Sequence, residues 1–205
     1  MTPDAVLSFW FPQGHERDEA THRAQILWWF RGGPGVDEQI RSRFAHTLEQ
    51  ARRGALDGWA ATPRGRLALI LVLDQFSRAL YRGTPHAFAQ DLRAQALSLE
   101  GLKLGAHDQL SAWELTFFGL PLGHSEVLAL HELGRPLVDE AVRRAPPHLR
   151  ALYEVSREQA RGHYETIKRF GRHPHRNAVL GRTSTAEELE FLRDEVLVHQ
   201  RPIPK

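Results

Sequence analysis

Apolar residues recur at the spacing of an α-helix along almost the whole chain, and no stretch alternates for long enough to predict a half-buried strand. Ile40, Phe44 and Leu48, for example, repeat at every fourth position, which places them on one face of a helix. A chain of 205 residues is long enough to bury one sizeable core. We therefore expect an all-α fold in a single domain over residues 1–205.

The ends of the helices are marked by capping residues, prolines and glycines. Thr2-Pro3, Thr62-Pro63 and Thr84-Pro85 each combine an N-cap residue with a proline suited to a first turn. Gly171 is suited to end a long helix in a left-handed conformation. Together these signals predict eight or nine helices, at residues 3–11, 18–30, about 40–54, 63–81, 85–102, 110–118, 125–144, 147–170 and 185–198.

Several classes of protein are excluded or not expected. The absence of cysteine excludes disulfides, thiolate metal ligands and thiol catalysis. The N-terminus lacks the features of a secretory signal, and the longest wholly apolar run, Leu67 to Leu73, is far too short to span a bilayer, so we expect a cytoplasmic protein. No G-x-S-x-G elbow, phosphate-binding glycine loop or H-E-x-x-H motif occurs, and we expect no cofactor.

Positive charge is concentrated in one segment of a chain whose formal net charge is only +2. Between Arg161 and Arg182 there are six Lys or Arg residues and one acid, Glu165. Such a segment could reflect general arginine usage, because 24 of the 27 basic residues are Arg. It could equally mark a site that compensates several guanidinium groups with an anion.

Three long motifs make the chain resemble one specific family. The segments RLALILVLDQFSRALYRGTPHAF, FGLPLGHSE and HYETIKRFGRHPHRNAVLGRTSTAEELEFL, with VLSFWF near the N-terminus, resemble the bacterial family catalogued as domain of unknown function 924. The resemblance runs from about Ala5 to Leu192, with departures at Gly123, Val127 and His173. It implies antiparallel helix pairs in a tetratricopeptide-like superhelix, and no established activity.

The residues of the first motif predict an inward-facing polar site. Apolar residues surround the helix between Leu67 and Leu73, and the polar residues that follow stay on the same azimuth as Leu67 and Leu71. These polar residues are Asp74, Gln75, Arg78 and Arg82. Asp74 and Arg78 have the i, i+4 spacing of an ion pair, and the alternative role of the group is to tie helices together.

Two further segments supply residues for the same site. His163 lies on the apolar stripe of its helix, and the loop beyond the helix contains Arg172, His175, Arg176, Asn177 and Arg182. His124 and Glu126 flank Ser125, which we expect to be the N-cap of the next helix. We predict that the three segments converge on one anion, with His163 and Asp74 as candidate catalytic residues and the others binding the ligand.

Metal and nucleic-acid sites are not expected. The HPH and HSE segments offer ligand types, but their spacing is a weak signal and the neighbouring arginines oppose a cation. The aromatic clusters SFWF and LWWF have helical spacing, which favours core packing over base stacking.

Two functions from different classes remain. The first is binding, with or without turnover, of a small anion of the phosphate, sulfate or carboxylate type in a pocket lined by Arg, His and Asp. The second is a helical-repeat module that binds a peptide or a partner protein without catalysis.

Overall fold

A computed structural model describes residues 1–194, and these residues form helices without a strand. The α-helices are α1 Pro3–Trp10, α2 Glu19–Arg31, α3 Gly33–Arg52, α4 Pro63–Leu71, α5 Ser77–Leu80, α6 Asp91–Lys103, α7 Ala112–Gly123, α8 Leu128–Arg144, α9 Arg150–Phe170 and α10 Ala186–Asp194. A π-helical turn, Val72–Phe76, joins α4 and α5 into one continuous helix. Counted in this way, the described residues form nine helices, apart from the short 3₁₀-helices. The predicted all-α class is confirmed. Within residues 1–194, no helix combines the length and the apolar character needed to cross a bilayer.

The Thr-Pro signals begin two α-helices and one 3₁₀-helix. Thr2 and Thr62 accept hydrogen bonds from the backbone N–H groups of Ala5 and Gly65, at 3.3 and 3.1 Å, as expected for N-caps. The hydroxyl of Thr84 instead donates to the carbonyl of Tyr81 at 2.8 Å. Without that cap the chain forms a 3₁₀-helix, Pro85–Phe88, and α6 begins only at Asp91, so the predicted helix at residues 85–102 started too early.

The predicted end of α7 and start of α8 were also wrong. The helix α7 continues past residue 118 to Gly123, with Pro121 in its last turn, because the missing N–H costs one hydrogen bond while His124 still donates to Leu120 at 2.9 Å. Ser125 is not an N-cap. Its hydroxyl accepts from the N–H of Val127 at 3.0 Å in a tight turn, and α8 begins after Val127.

The core surrounds α4 and the start of the π turn, where residues Leu67 to Leu73 are at most 1% exposed. Trp10 and Trp29 of the aromatic clusters pack here, with ring centroids 5.5 and 4.9 Å from that of Phe117. Trp113 lies 5.0 Å from Trp29 and is fully buried. The interpretation of these aromatic residues as core residues is therefore confirmed for these three tryptophans.

Packing between neighbouring helices places three segments around one space. The helix α7 packs against α8, α8 packs against α9, and α1, α6 and α7 pack against α4. Gly171 ends α9 with a φ of 66°, the left-handed conformation predicted for it. The π turn, the end of α7 and the inner face of α9 thus become neighbours. This packing is compatible with a tetratricopeptide-like superhelix, which stays a prediction.

Two residue pairs in the sequence have the spacing of a capping box at the start of α10, Ser184 with Glu187 and Thr185 with Glu188, and the structure forms the second. Thr185 and Glu188 exchange hydrogen bonds, from the Thr185 N–H to the Glu188 carboxylate at 2.8 Å and from the Glu188 N–H to the Thr185 hydroxyl at 3.2 Å. The end predicted for this helix, at residue 198, lies outside the described residues.

Candidate functional site

The centre of the site is a buried carboxylate, Asp74, on the π turn. Asp74 is 1% exposed and accepts hydrogen bonds from Nδ1 of His124 at 2.8 Å and from the amide of Gln75 at 2.6 Å. Arg78 lies one turn on, with Nη1 2.9 Å from Oδ1 of Asp74. The i, i+4 pair predicted from the sequence is therefore present, and a residue fifty positions away completes it. A π turn inserts one residue into a helix, a feature often found at functional sites.

Electrostatics keep Asp74 ionised and His124 neutral. Burial opposes ionisation of Asp74, but the nearby charge of Arg78 and the hydrogen bond from His124 outweigh it, so the pKa of the carboxyl lies well below its ordinary value. Burial and the charge of Arg78 lower the pKa of His124. A neutral His124 that donates from Nδ1 to Asp74 carries its lone pair on Nε2.

A second carboxylate links Arg78 to Arg176. Asp91, at the start of α6, lies 3.0 Å from Arg78 and 3.5 Å from Nη1 of Arg176. Burial raises the pKa of Asp91, and the charge of Asp74 adds to the effect. Two arginines thus share Asp91, while Arg78 also has Asp74.

The guanidinium of Arg176 has little compensation of its own. Arg176 is 6% exposed, and within residues 1–194 its only carboxylate contact is the one with Asp91. Its Nε is buried without a hydrogen-bond partner, and the guanidinium lies over the ring of Phe88 at 4.8 Å. Burial, followed by the charge of Arg78, lowers the pKa of Arg176 to about 10. The charged form of Arg176 is therefore less stable, relative to its neutral form, than that of an arginine in water.

Most of these groups face one space, which we call the polar cavity. It measures about 440 Å³. Its lining includes seven of the residues predicted from the sequence, namely Gln75, Arg78, Arg82, His124, His163, His175 and Arg176. Asp74 lies behind this lining. Arg82, at the rim, pairs with Asp37 through two hydrogen bonds of 2.6 and 2.7 Å.

His163 faces the cavity but does not contact Asp74. The hydrogen-bond partner of Asp74 is His124. The ring of His163 packs edge-on against that of His173, with centroids 5.4 Å apart. Burial holds the pKa of His163 well below its ordinary value, and the neighbouring histidines and Arg176 act in the same direction. His163 is therefore a neutral base that faces the cavity, and no carboxylate within residues 1–194 forms a hydrogen bond with it.

The remaining predicted residues form a separate group, which we call the loop cluster. Arg182 donates two hydrogen bonds to Glu126, at 2.7 and 3.0 Å, and Glu126 also accepts from the N–H of His173 at 2.8 Å. Arg172 binds the carboxylate of Glu188 in the same two-pronged way, at 2.6 and 2.7 Å. Asn177 donates to Glu188 at 3.2 Å. None of Glu126, Arg172, Asn177 and Arg182 lines the polar cavity.

Three of the six basic residues between Arg161 and Arg182 are compensated in or beside the loop cluster. Arg169 pairs with Glu187 at 2.8 Å, so Arg169, Arg172 and Arg182 each have their own carboxylate. The pKa of Glu188 is lowered to about 2, first by the hydrogen bond from Arg172. These carboxylates come from α10 and from the segment before α8, outside the stretch between Arg161 and Arg182 in which Glu165 is the one acid. Arg176 differs from them in sharing its carboxylate.

The sequence did not indicate Asp91, Phe88 or Asp37 as site residues. Each reaches the site through packing between segments that are distant in the chain. Among the described residues, no group of three or more His, Asp or Glu side chains could hold a metal ion.

Comparison with known proteins identifies a family without a described function. The chain matches the family model described as a bacterial protein of unknown function, DUF924, over residues 6–195. It is also similar to the solved structure of a protein of unknown function from Agrobacterium tumefaciens, with 33% sequence identity and a TM-score of 0.70. That similarity covers 87% of this chain and 100% of the other. Among curated proteins, none matches the chain.

Proposed function

The chain belongs to the bacterial DUF924 family, and we propose that it binds a small anionic molecule in the polar cavity, against the guanidinium of Arg176. The observation that carries this proposal is the burial of the Arg176 side chain together with its incomplete hydrogen bonding. The side chain of Arg176 is buried and lines the cavity, its Nε has no hydrogen-bond partner, and within residues 1–194 its one ion pair is the 3.5 Å contact with Asp91. A guanidinium has five N–H donors, and burying a charge without hydrogen-bond partners is costly.

The other arginines near the site are satisfied within the protein. Arg78 has Asp74 and Asp91, while Arg82 has Asp37. Arg176 would therefore contribute most to the binding free energy of an anion in the cavity, because the anion would form the hydrogen bonds that the protein does not supply. The charge of Asp91, which lies on the same guanidinium, would weaken binding but would not block it.

The size of the cavity favours a small molecule over a polymer. A volume of about 440 Å³ falls within the range of about 300–1,000 Å³ typical of small-molecule pockets. Aromatic side chains of α1 and α2, including Trp10 and Trp28, also line the cavity. An apolar wall with a few convergent polar groups is the usual composition of such a site.

If the bound molecule is also turned over, His124 is the base that the geometry favours. Asp74 fixes the Nδ1–H of His124 through a 2.8 Å hydrogen bond, which leaves Nε2 to accept a proton. His163, the base proposed from the sequence, lines the same cavity and could act on the other side of a ligand. Asp74 would then be a positioning residue, since it does not line the cavity.

A thermal-shift experiment tests the proposal. Sulfate, phosphate and short carboxylates should each raise the Tm with saturation, relative to sodium chloride at equal ionic strength, because they bind the native state. Arg176→Ala should abolish the shift. The matched control is Arg161→Ala, which removes an arginine with a 72% exposed side chain from α9 and should leave the shift intact.

Two results would reject the proposal. One is the absence of any shift beyond the ionic-strength control, which would leave the interaction module as the surviving alternative. The other is a shift that Arg176→Ala and Arg161→Ala both preserve, because the anion would then bind elsewhere.

A further inference from the structure

A second cavity adjoins the polar one and has a different character. It measures about 130 Å³ and lies between α2, α7, α8 and α9. We call it the apolar cavity. Apart from His131, Arg135, Gln159 and the residues it shares with the polar cavity, its lining consists of Ile26, Thr116, Gly119, Leu120, Gly123, Gly134, Val138, Ser156 and Ala160.

The two cavities meet at four shared residues. Phe30, Arg31, His124 and His163 line both of them. His124 and His163 therefore stand at the junction together with Phe30 and Arg31. Arg78 and Arg176 line only the polar cavity, whereas most residues that line only the apolar cavity are small or aliphatic. A ligand long enough to pass this junction would contact both surfaces.

Small residues line the apolar cavity, and one of them, Gly123, borders unfilled space. A methyl group added at Gly119 or Gly134 would come within 3.2 Å of a leucine on the facing helix, so these glycines allow α7 and α8 to approach closely. A methyl group at Gly123 would meet no atom within 4 Å. Protein interiors are normally packed without such voids, and a void costs stability unless something fills it.

From these observations we infer that the ligand is an amphiphilic anion, with its charged group at Arg176 and an aliphatic tail in the apolar cavity. The inference rests on the proposed function, because it assumes that the anion binds at Arg176. It adds the chemical class of the molecule: a carboxylate with a short hydrocarbon chain. Burying each methylene of the chain strengthens binding through the hydrophobic effect.

A series of straight-chain carboxylates, from acetate to octanoate, tests this inference by calorimetry at constant ionic strength. The Kd should fall by about three- to four-fold for each methylene that enters the apolar cavity, and then reach a plateau when the cavity is full. Gly123→Leu, at the last residue of α7, should remove the dependence on chain length while preserving the binding of acetate.

A second variant shows whether the effect of Gly123→Leu comes from filling the cavity or from a local change at the end of α7. Ala160→Phe fills the same cavity from α9 and should give the same loss of chain-length dependence. Its matched control is Ala151→Phe, the same substitution at an exposed position of the same helix, which should bind the whole series as the wild type does.

The outcomes separate the two proposals. One possible result is that acetate binds the wild type at least as tightly as octanoate does, and that Arg176→Ala abolishes the binding of acetate. The tail site would then be wrong, while the anion site would stand. If chain-length dependence survives both Gly123→Leu and Ala160→Phe, the tail binds elsewhere and the inference is overturned. If no member of the series binds, both the inference and carboxylate binding at Arg176 are rejected.

Discussion

The substitution Asp91→Asn should have opposite effects on stability and on anion binding. Asp91 is 8% exposed and contacts both Arg78, at 3.0 Å, and Arg176, at 3.5 Å. Asparagine keeps the shape of the side chain but removes its charge. The ligand-free protein should become less stable, because two buried guanidinium groups lose a counter-charge. The affinity for an anion should increase, because the negative charge nearest to the bound anion is removed.

Both effects can be estimated. Breaking a buried ion pair by removing one partner costs about 3–5 kcal/mol, and Arg78 keeps Asp74, so we expect a loss of about 2–4 kcal/mol. For a domain of this size that lowers the Tm by about 5–15 °C. An anion on the far side of Arg176 would lie about 6 Å from Asp91, where two like charges repel by about 3 kcal/mol at an effective dielectric constant of about 20. Salt in the open cavity screens part of this repulsion, so the sulfate Kd should fall by at least about ten-fold.

Two measurements on the same variant check the prediction. Urea unfolding without ligand gives the stability, and calorimetric titration with sulfate at constant ionic strength gives the Kd. Asp57→Asn is the control, because it removes an exposed carboxylate that pairs with Arg93 away from the polar cavity, and it should change neither quantity by much. A sulfate Kd that is unchanged or weaker in Asp91→Asn would refute the placement of the anion next to Arg176.

Three further predictions concern stability. The pKa of Glu188 is lowered from 4.5 to about 2, so its carboxylate stabilises the fold fully above pH 4.5 and loses that effect as the pH falls toward 2. Urea unfolding between these pH values should therefore show a smaller loss of unfolding free energy in Glu188→Gln than in the wild type. Burial lowers the pKa of His22 from 6.5 to about 4, so the unfolded state takes up the proton first and stability falls as the pH drops between these values; His22→Gln should flatten that slope. Ser111→Ala removes one half of the capping box with Glu114 and should cost about 1 kcal/mol, or about 2–4 °C in Tm.

The sequence predicted the parts of the fold that depend on local signals. The helix that begins at Pro63 has a capping threonine, a first-turn proline and a wholly apolar centre, and each of these acts within a few residues. The C-terminal end of α7 could not be predicted in this way. Pro121 normally argues against a helix, yet here it occupies a last turn that packing against α8 holds in place.

The candidate site shows the same division between local and distant contacts. Asp74 and Arg78 are four residues apart, so their pairing could be predicted from helix geometry. The capping-box spacing of Thr185 and Glu188 can be read from the sequence, but the binding of Arg172 by Glu188 cannot, because a capping box does not reveal which distant donors its carboxylate will accept. Asp91 was missed since nothing near it in the sequence indicates that α6 packs beside the π turn.

The most direct test of the central claim is to locate a bound anion. Selenate has the shape and charge of sulfate, and its selenium gives an anomalous signal in a crystal. At a selenate concentration that saturates the thermal shift, we predict an anomalous peak in the polar cavity within hydrogen-bond distance of the Arg176 guanidinium. An empty polar cavity under those conditions, or anomalous peaks confined to arginines outside it, would contradict the account.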